Sequence, residues 1–145
     1  LWAVSVVSAE VIREPFVGYS ALTSRDPGEW TFPGGNIHVR GMVEYLDTTG
    51  VDPRVCGDHT LWVNANWDGQ GYGVIWGKYR LDVTGMDGYW EGSFTGEVTE
   101  SGVATKMHGT GYGDLAGMRL EGTYSHPVDE AVGVTEGVII TLPTP

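Results

Sequence analysis

This chain is poor in the residues that most often announce chemistry. Cys56 is its only cysteine, which excludes an intrachain disulfide and a thiolate metal cluster. His59 lies three residues further on, near enough in sequence to activate a thiol, but a passive thiol is the default for a lone cysteine. The histidines, His38, His59, His108 and His126, are scattered. With no His-x-His or His-Glu-x-x-His spacing there is no case for a zinc site, and no cofactor is expected. Lysine occurs only as Lys78 and Lys106, and eight basic residues face 19 acidic ones, for a formal net charge of -11. Such a surface repels phosphate backbones and anionic membranes, so nucleic acid is excluded as a natural partner. No hydrophobic run approaches the length of a membrane span, so membrane insertion is not expected. A nucleophile-elbow serine, a phosphate-binding loop and an N-glycosylation acceptor are all missing. Gly111-Tyr112-Gly113-Asp114-Leu115-Ala116 matches a dinucleotide fingerprint on paper, but no helical pattern follows it.

What the chain has instead is glycine, aromatics and alternation. Its 145 residues include 23 glycines and seven prolines, spread along the whole length. They punctuate short strands and do not form a low-complexity block. The length suits one domain, residues 1–145, with no visible linker. Six tryptophans and seven tyrosines are enough either to fill a core or to line a cavity that stacks on a ligand.

Period-two runs dominate. Residues 2–12 can form a strand. The same opening, Leu1-Trp2-Ala3-Val4-Ser5-Val6-Val7-Ser8-Ala9, also reads as the end of a signal peptide with Val7-Ser8-Ala9 as cleavage site. That would place the protein outside the cytoplasm or in the periplasm; otherwise it is cytoplasmic. Turns are expected at Ser24–Gly28 and Phe32–Gly35, with a short strand between them. Asn36 to Leu46 alternates Ile37, Val39, Gly41, Val43 and Tyr45 against His38, Arg40, Met42, Glu44 and Leu46. Further strands run over Thr60–Asp68, Tyr72–Val83, Tyr89–Thr99, Val103–Thr110, Gly117–Ser125 and Gly133–Leu142. Asp87-Gly88 supplies positive-φ turn chemistry for one hairpin. About eight short antiparallel strands hide their edges by closing, and the glycines inside them ease the coiling that closure demands. The expected fold is therefore an all-β antiparallel barrel of about eight strands.

Two segments, Gly41-Met42-Val43-Glu44-Tyr45-Leu46 and Gly109 to Tyr124 with Gly113-Asp114-Leu115-Ala116-Gly117-Met118 at its heart, carry a resemblance. With Ser93-Phe94-Thr95-Gly96 before the second, they resemble bacterial members of the allene oxide cyclase-type barrel superfamily, which includes dirigent-like proteins. The resemblance implies a calycin-like barrel with an apolar cavity and few catalytic side chains. Some members close a fatty-acid epoxide and others steer radical coupling. The catalytic residues of neither group map onto positions here, so activity would follow by analogy alone.

The residues singled out for chemistry depend on which strand faces point inward. If the second face of Asn36–Leu46 does, Glu44 is a candidate acid or base and Arg40 a candidate carboxylate clamp, both catalytic. His38, Asn64 and Asn66 would join them as ligand-binding groups, with Trp76, Trp90 and Tyr79 supplying an aromatic wall. If the more apolar face goes inside, Ile37, Val39, Val43 and Tyr45 fill the core and the polar set faces solvent. Met118, Leu120 and Tyr124 are expected inward, with Arg119 and Glu121 outward. The first functional expectation is a non-catalytic barrel holding a small apolar or aromatic molecule. The alternatives are a metal-free cyclase or isomerase acting on a lipid-like or polyketide-like substrate, and a structural barrel that assembles as a homo-oligomer.

Overall fold

The computed structural model describes residues 10–144. Both readings of residues 1–9, and most of the strand expected over 2–12, lie outside the described residues. Nine strands follow: β1 (Ile12–Asp26), β2 (Glu29–Thr31), β3 (Ile37–Gly50), β4 (Gly57–Trp67), β5 (Gly73–Val83), β6 (Gly88–Thr99), β7 (Gly102–Gly113), β8 (Met118–Pro127) and β9 (Val132–Thr141). Neighbours from β3 to β9 pair antiparallel in chain order, and β1 pairs with both β9 and β3. Eight strands thus close into an antiparallel barrel, leaving no continuous edge to template aggregation. β2 adds three residues to β3.

β1 is longer than alternation suggested. Its inward positions carry Phe16, Gly18 and Ser20, all buried, and two of the three are too small or too polar to register as an apolar face. Pro15 is tolerated because β9 alone pairs with this part of β1 among the described residues; β3 joins only from Gly18.

The faces of β4, β5 and β6 follow the alternation closely. Val63 and Ala65 on β4, Tyr79 and Leu81 on β5, and Trp90 and Phe94 on β6 are buried inside the barrel. Glycines in these rows make room for large neighbours. A Cβ at Gly77 would come within 2.8 Å of the Phe94 ring, and one at Gly109 would collide with the Tyr79 hydroxyl.

β3 breaks the alternation. Its pairing with β4 shifts between Val39 and Met42, where Gly41 adopts φ 64°. An extra residue in the left-handed conformation is a β-bulge, which only glycine adopts without strain. Ile37 and Val39 point inward before the bulge, and Met42, Glu44 and Leu46 after it. Val43 and Tyr45, expected in the core, face outward; Tyr45 is 45% exposed. A second shift, in β1 between Leu22 and Ser24, brings Arg25 into register with Glu44.

One end of the barrel is packed shut. The 3-10 turn Pro53–Val55 between β3 and β4 inserts Val55, and the β7–β8 turn inserts Leu115; each is almost wholly buried. Between them lies Trp90, fully buried, whose indole Nε1 donates to the Arg54 carbonyl at 2.7 Å. Asp52 caps the turn by accepting from the Arg54 backbone N–H at 3.0 Å and pairs with the Arg54 guanidinium at 2.7 Å. That pairing lowers the Asp52 carboxyl pKa and raises that of Arg54. The β5–β6 hairpin takes its positive φ at Gly85 (81°) and not at Gly88. Gly88 opens β6, where a Cβ would crowd Leu115 at 3.2 Å.

Candidate functional site

The other end is open. The β4–β5, β6–β7 and β8–β9 connections at that end insert no plug, and the interior opens as a cavity of about 210 Å³. Its wall is apolar: Leu61 and Val63 from β4, Ile75 from β5, Phe94 and Val98 from β6, and Met107 from β7. These are the inward positions of strands that read plainly in the sequence. Near the mouth lie Arg25, Glu44, Trp67, Tyr124 and His126. Arg25 donates to the Glu44 carboxylate at 2.7 Å. Burial, and then the negative charge of Glu44, push the Tyr124 phenol up to about 12, so it stays protonated and able to donate.

His59 lies deepest along β4 among the lining residues. Its Nδ1 is 3.3 Å from Thr48 Oγ1, which is 2.8 Å from Ser20 Oγ. The three form a buried polar thread across β4, β3 and β1. Burial pushes the imidazole down to about 4, so the ring is neutral at pH 7. Its other nitrogen, Nε2, is buried without a partner. The Tyr79 ring packs edge-on to His59 with centroids 5.5 Å apart, and its hydroxyl is also buried and unpaired.

The bulge at Gly41 divides the residues singled out from the sequence. Glu44 lines the cavity. Trp90 and Tyr79 are inside the barrel, but Trp90 belongs to the packed end and neither lines the cavity. His38, Arg40, Asn64, Asn66 and Trp76 lie on the outer surface, because they precede the bulge or share the outward phase of β4 and β5. There they meet one another. Arg40 stacks over the Trp76 ring at 5.1 Å and donates to the Ala65 carbonyl at 3.1 Å. Asn64 Oδ1 accepts the Gly41 backbone N–H at 3.2 Å, and His38 pairs in register with Asn66. The cluster secures the bulge from outside, so Arg40 cannot clamp a ligand beside Glu44; Arg25 holds that place.

Sequence reasoning assigned no place in the ligand site to His59, Tyr124, Thr48 or Arg25. For His59 the signal was available, since it has the same parity as Leu61, Val63, Ala65 and Trp67. A histidine in phase with an apolar face is an interior histidine. Its nearness to Cys56 has no chemical consequence, because the thiol donates to the Gly50 and Asp52 carbonyls at 3.3 and 3.4 Å while the imidazole turns to Thr48.

A larger hollow of about 610 Å³ lies on the outside of the sheet, bordered by Trp62, Lys78, Glu91, Ser93 and His108. It is a shallow, solvent-open depression, so the more enclosed, apolar interior cavity is the better candidate for a binding site. Among the described residues, no group of three or more His, Cys, Asp or Glu side chains converges as a metal site would require.

No protein-family model matches the chain, and no curated protein matches it. Among solved structures it is similar to a protein of unknown function from the DUF3224 family of Shewanella oneidensis MR-1. The two superpose with a TM-score of 0.61 at 16% identity, over 93% of this chain and 100% of the other. At that identity the likeness speaks for the barrel fold alone.

Proposed function

We propose that the protein is a small-molecule-binding barrel that holds an apolar or aromatic ligand in the open end of its interior. The observation that carries this reading is the asymmetry of the interior. One end is packed shut around Trp90, while the other keeps a cavity of about 210 Å³ with an apolar wall and a few polar groups. A cavity of ~150 Å³ already accepts benzene, so this one suits a molecule of one or two rings. Trp67 lines the cavity and serves as a reporter. Titration with small aromatic compounds is expected to shift its emission saturably, and Val98→Trp, which fills the cavity from the β6 wall, is expected to abolish the shift. A broad panel that produces no saturable change, with the fold intact, would remove the proposal.

A second reading has one observation in its favour. Glu44 lines the same cavity and bears on Tyr124, within reach of any substrate the cavity would take. This suits a cyclase or isomerase of the allene oxide cyclase type, in which the cavity imposes a reactive conformation and the carboxylate assists. Once a substrate is known, Glu44→Gln should lower kcat and leave binding unchanged. A full rate in that variant would return the protein to simple binding.

A further inference from the structure

Three side-chain atoms among the described residues are buried without a hydrogen-bond partner: His59 Nε2, Asn66 Oδ1 and Tyr79 Oη. Only His59 lines the interior cavity. Buried polar atoms in native proteins are almost always paired, so an orphan on a side chain that lines a cavity marks a place for a bond from something else. Taking the cavity as the ligand site proposed above, we infer that its ligand is a neutral hydroxyl-bearing aromatic of one or two rings, seated with its O–H against His59 Nε2.

The hydroxyl follows from the thread behind His59. If Nδ1–H donates to Thr48 Oγ1, the Thr48 hydroxyl donates to Ser20 and Nε2 is an acceptor. If the Thr48 hydroxyl donates to Nδ1, Ser20 donates to Thr48 and Nε2–H is a donor. Both directions fit the 2.8 and 3.3 Å separations. A hydroxyl is donor and acceptor at once and satisfies Nε2 in either case. A carbonyl satisfies only the second.

Neutrality follows from the charges that face the cavity. Arg25 and Glu44 answer each other at the mouth, and the His126 ring nitrogen is bonded to the Glu130 carbonyl at 2.8 Å. Around His59 the groups are Thr48, Ser20 and the Tyr79 ring, none of them a cation. A carboxylate carried to that depth would be buried without a counter-charge, which is strongly disfavoured. Water could fill the bond to Nε2, but the Leu61, Val63 and Phe94 wall beside it favours an apolar body attached to the hydroxyl.

The test compares three probes, 2-naphthol, naphthalene and 2-naphthoate, by nitrogen-15 NMR titration of the full chain, in the wild type and in His59→Phe. Wild-type protein is expected to bind 2-naphthol about tenfold more tightly than naphthalene, to reject naphthoate, and to show a shift of the His59 ring nitrogens with naphthol alone. In His59→Phe naphthol and naphthalene should bind alike. His59→Gln, which keeps a polar end, should retain part of the preference and stands in if the phenylalanine variant does not fold. Equal wild-type binding of naphthol and naphthalene, a preference that survives in His59→Phe, or one left undiminished in His59→Gln, overturns the hydroxyl assignment while the cavity reading stands. If no probe binds the wild type, the cavity reading itself falls, and this inference falls with it.

Discussion

The closed and open ends of the barrel are built from the same eight strands, yet their interiors differ in kind. At the closed end, short turns carry Val55 and Leu115 inward onto Trp90, and all three are almost wholly buried. At the open end, strands of the same alternating character leave their inward side chains around unfilled space, and the polar groups collect there: His59, Tyr124, Glu44 and Arg25. One end holds the barrel together and the other is free to be shaped for a ligand. Stability and binding should therefore separate along the barrel axis.

The sharpest way to break the comparison is to remove the closed end. Trp90→Ala leaves a large void and strips the Arg54 carbonyl of its donor, and is expected to destabilise by about 3–5 kcal/mol, measured by urea unfolding. A loss below about 1 kcal/mol would show that the plug is not what holds the fold.

The next effect is in pH. The His59 imidazole is held at about 4 against an ordinary 6.5. Between these values the unfolded chain takes up a proton that the folded protein refuses. Stability is therefore full above about pH 6.5 and falls as pH drops toward 4, by about 3 kcal/mol in all. Among the described residues the ring's hydrogen-bonding and stacking neighbours are Thr48 and Tyr79, which carry no charge to offset this. Asp52, held low by Arg54, adds only a little, at more acid pH, because the pair is partly exposed. Thermal unfolding from pH 7 to 4 should show the slope in the wild type and lose it in His59→Phe. An identical slope in both would assign the acid sensitivity elsewhere.

One substitution made at both ends sharpens the contrast. Ile139→Ala, at a fully buried position, should cost about 2–5 kcal/mol, whereas Ile75→Ala, on the cavity wall, should cost less than half as much because space already adjoins it. Equal losses would mean that the open end is as tightly packed as the closed one. The smallest effect belongs to the mouth. Arg25 is about half exposed in its pair with Glu44, so Arg25→Ala should change unfolding free energy by less than about 1 kcal/mol, and its consequence should appear in ligand binding.

Much of the barrel was legible in the sequence because a half-buried strand writes its inward face in every second residue. Leu61, Val63, Ala65 and Trp67, or Trp90, Phe94 and Val98, group on one face without a structure, although which face turns inward took the closed barrel to decide. The candidate site was legible only in part, because it lies where that rule is interrupted. Gly41 and the irregularity near Thr23 each shift the phase by one residue. They turn Glu44 and Arg25 inward and leave His38 and Arg40 outside, although on paper His38, Arg40 and Glu44 share a face. Glycine fills many roles in this chain, and nothing local distinguishes Gly41 from the glycines that merely make room for Tyr79 or Phe94.

By itself, then, the sequence determined the strand-rich architecture, the grouping of residues into two faces along β4 to β6 and the acidic surface, since each follows from residue type and period within one segment. The tertiary structure alone decided which end of the barrel closed, which of two strand faces met the cavity along β3, and that His59, Thr48 and Ser20 formed one thread. Those outcomes depend on the register between strands distant in the chain. Register is set by pairing and bulges across the whole closed sheet, and a shift of one residue reverses every side chain beyond it.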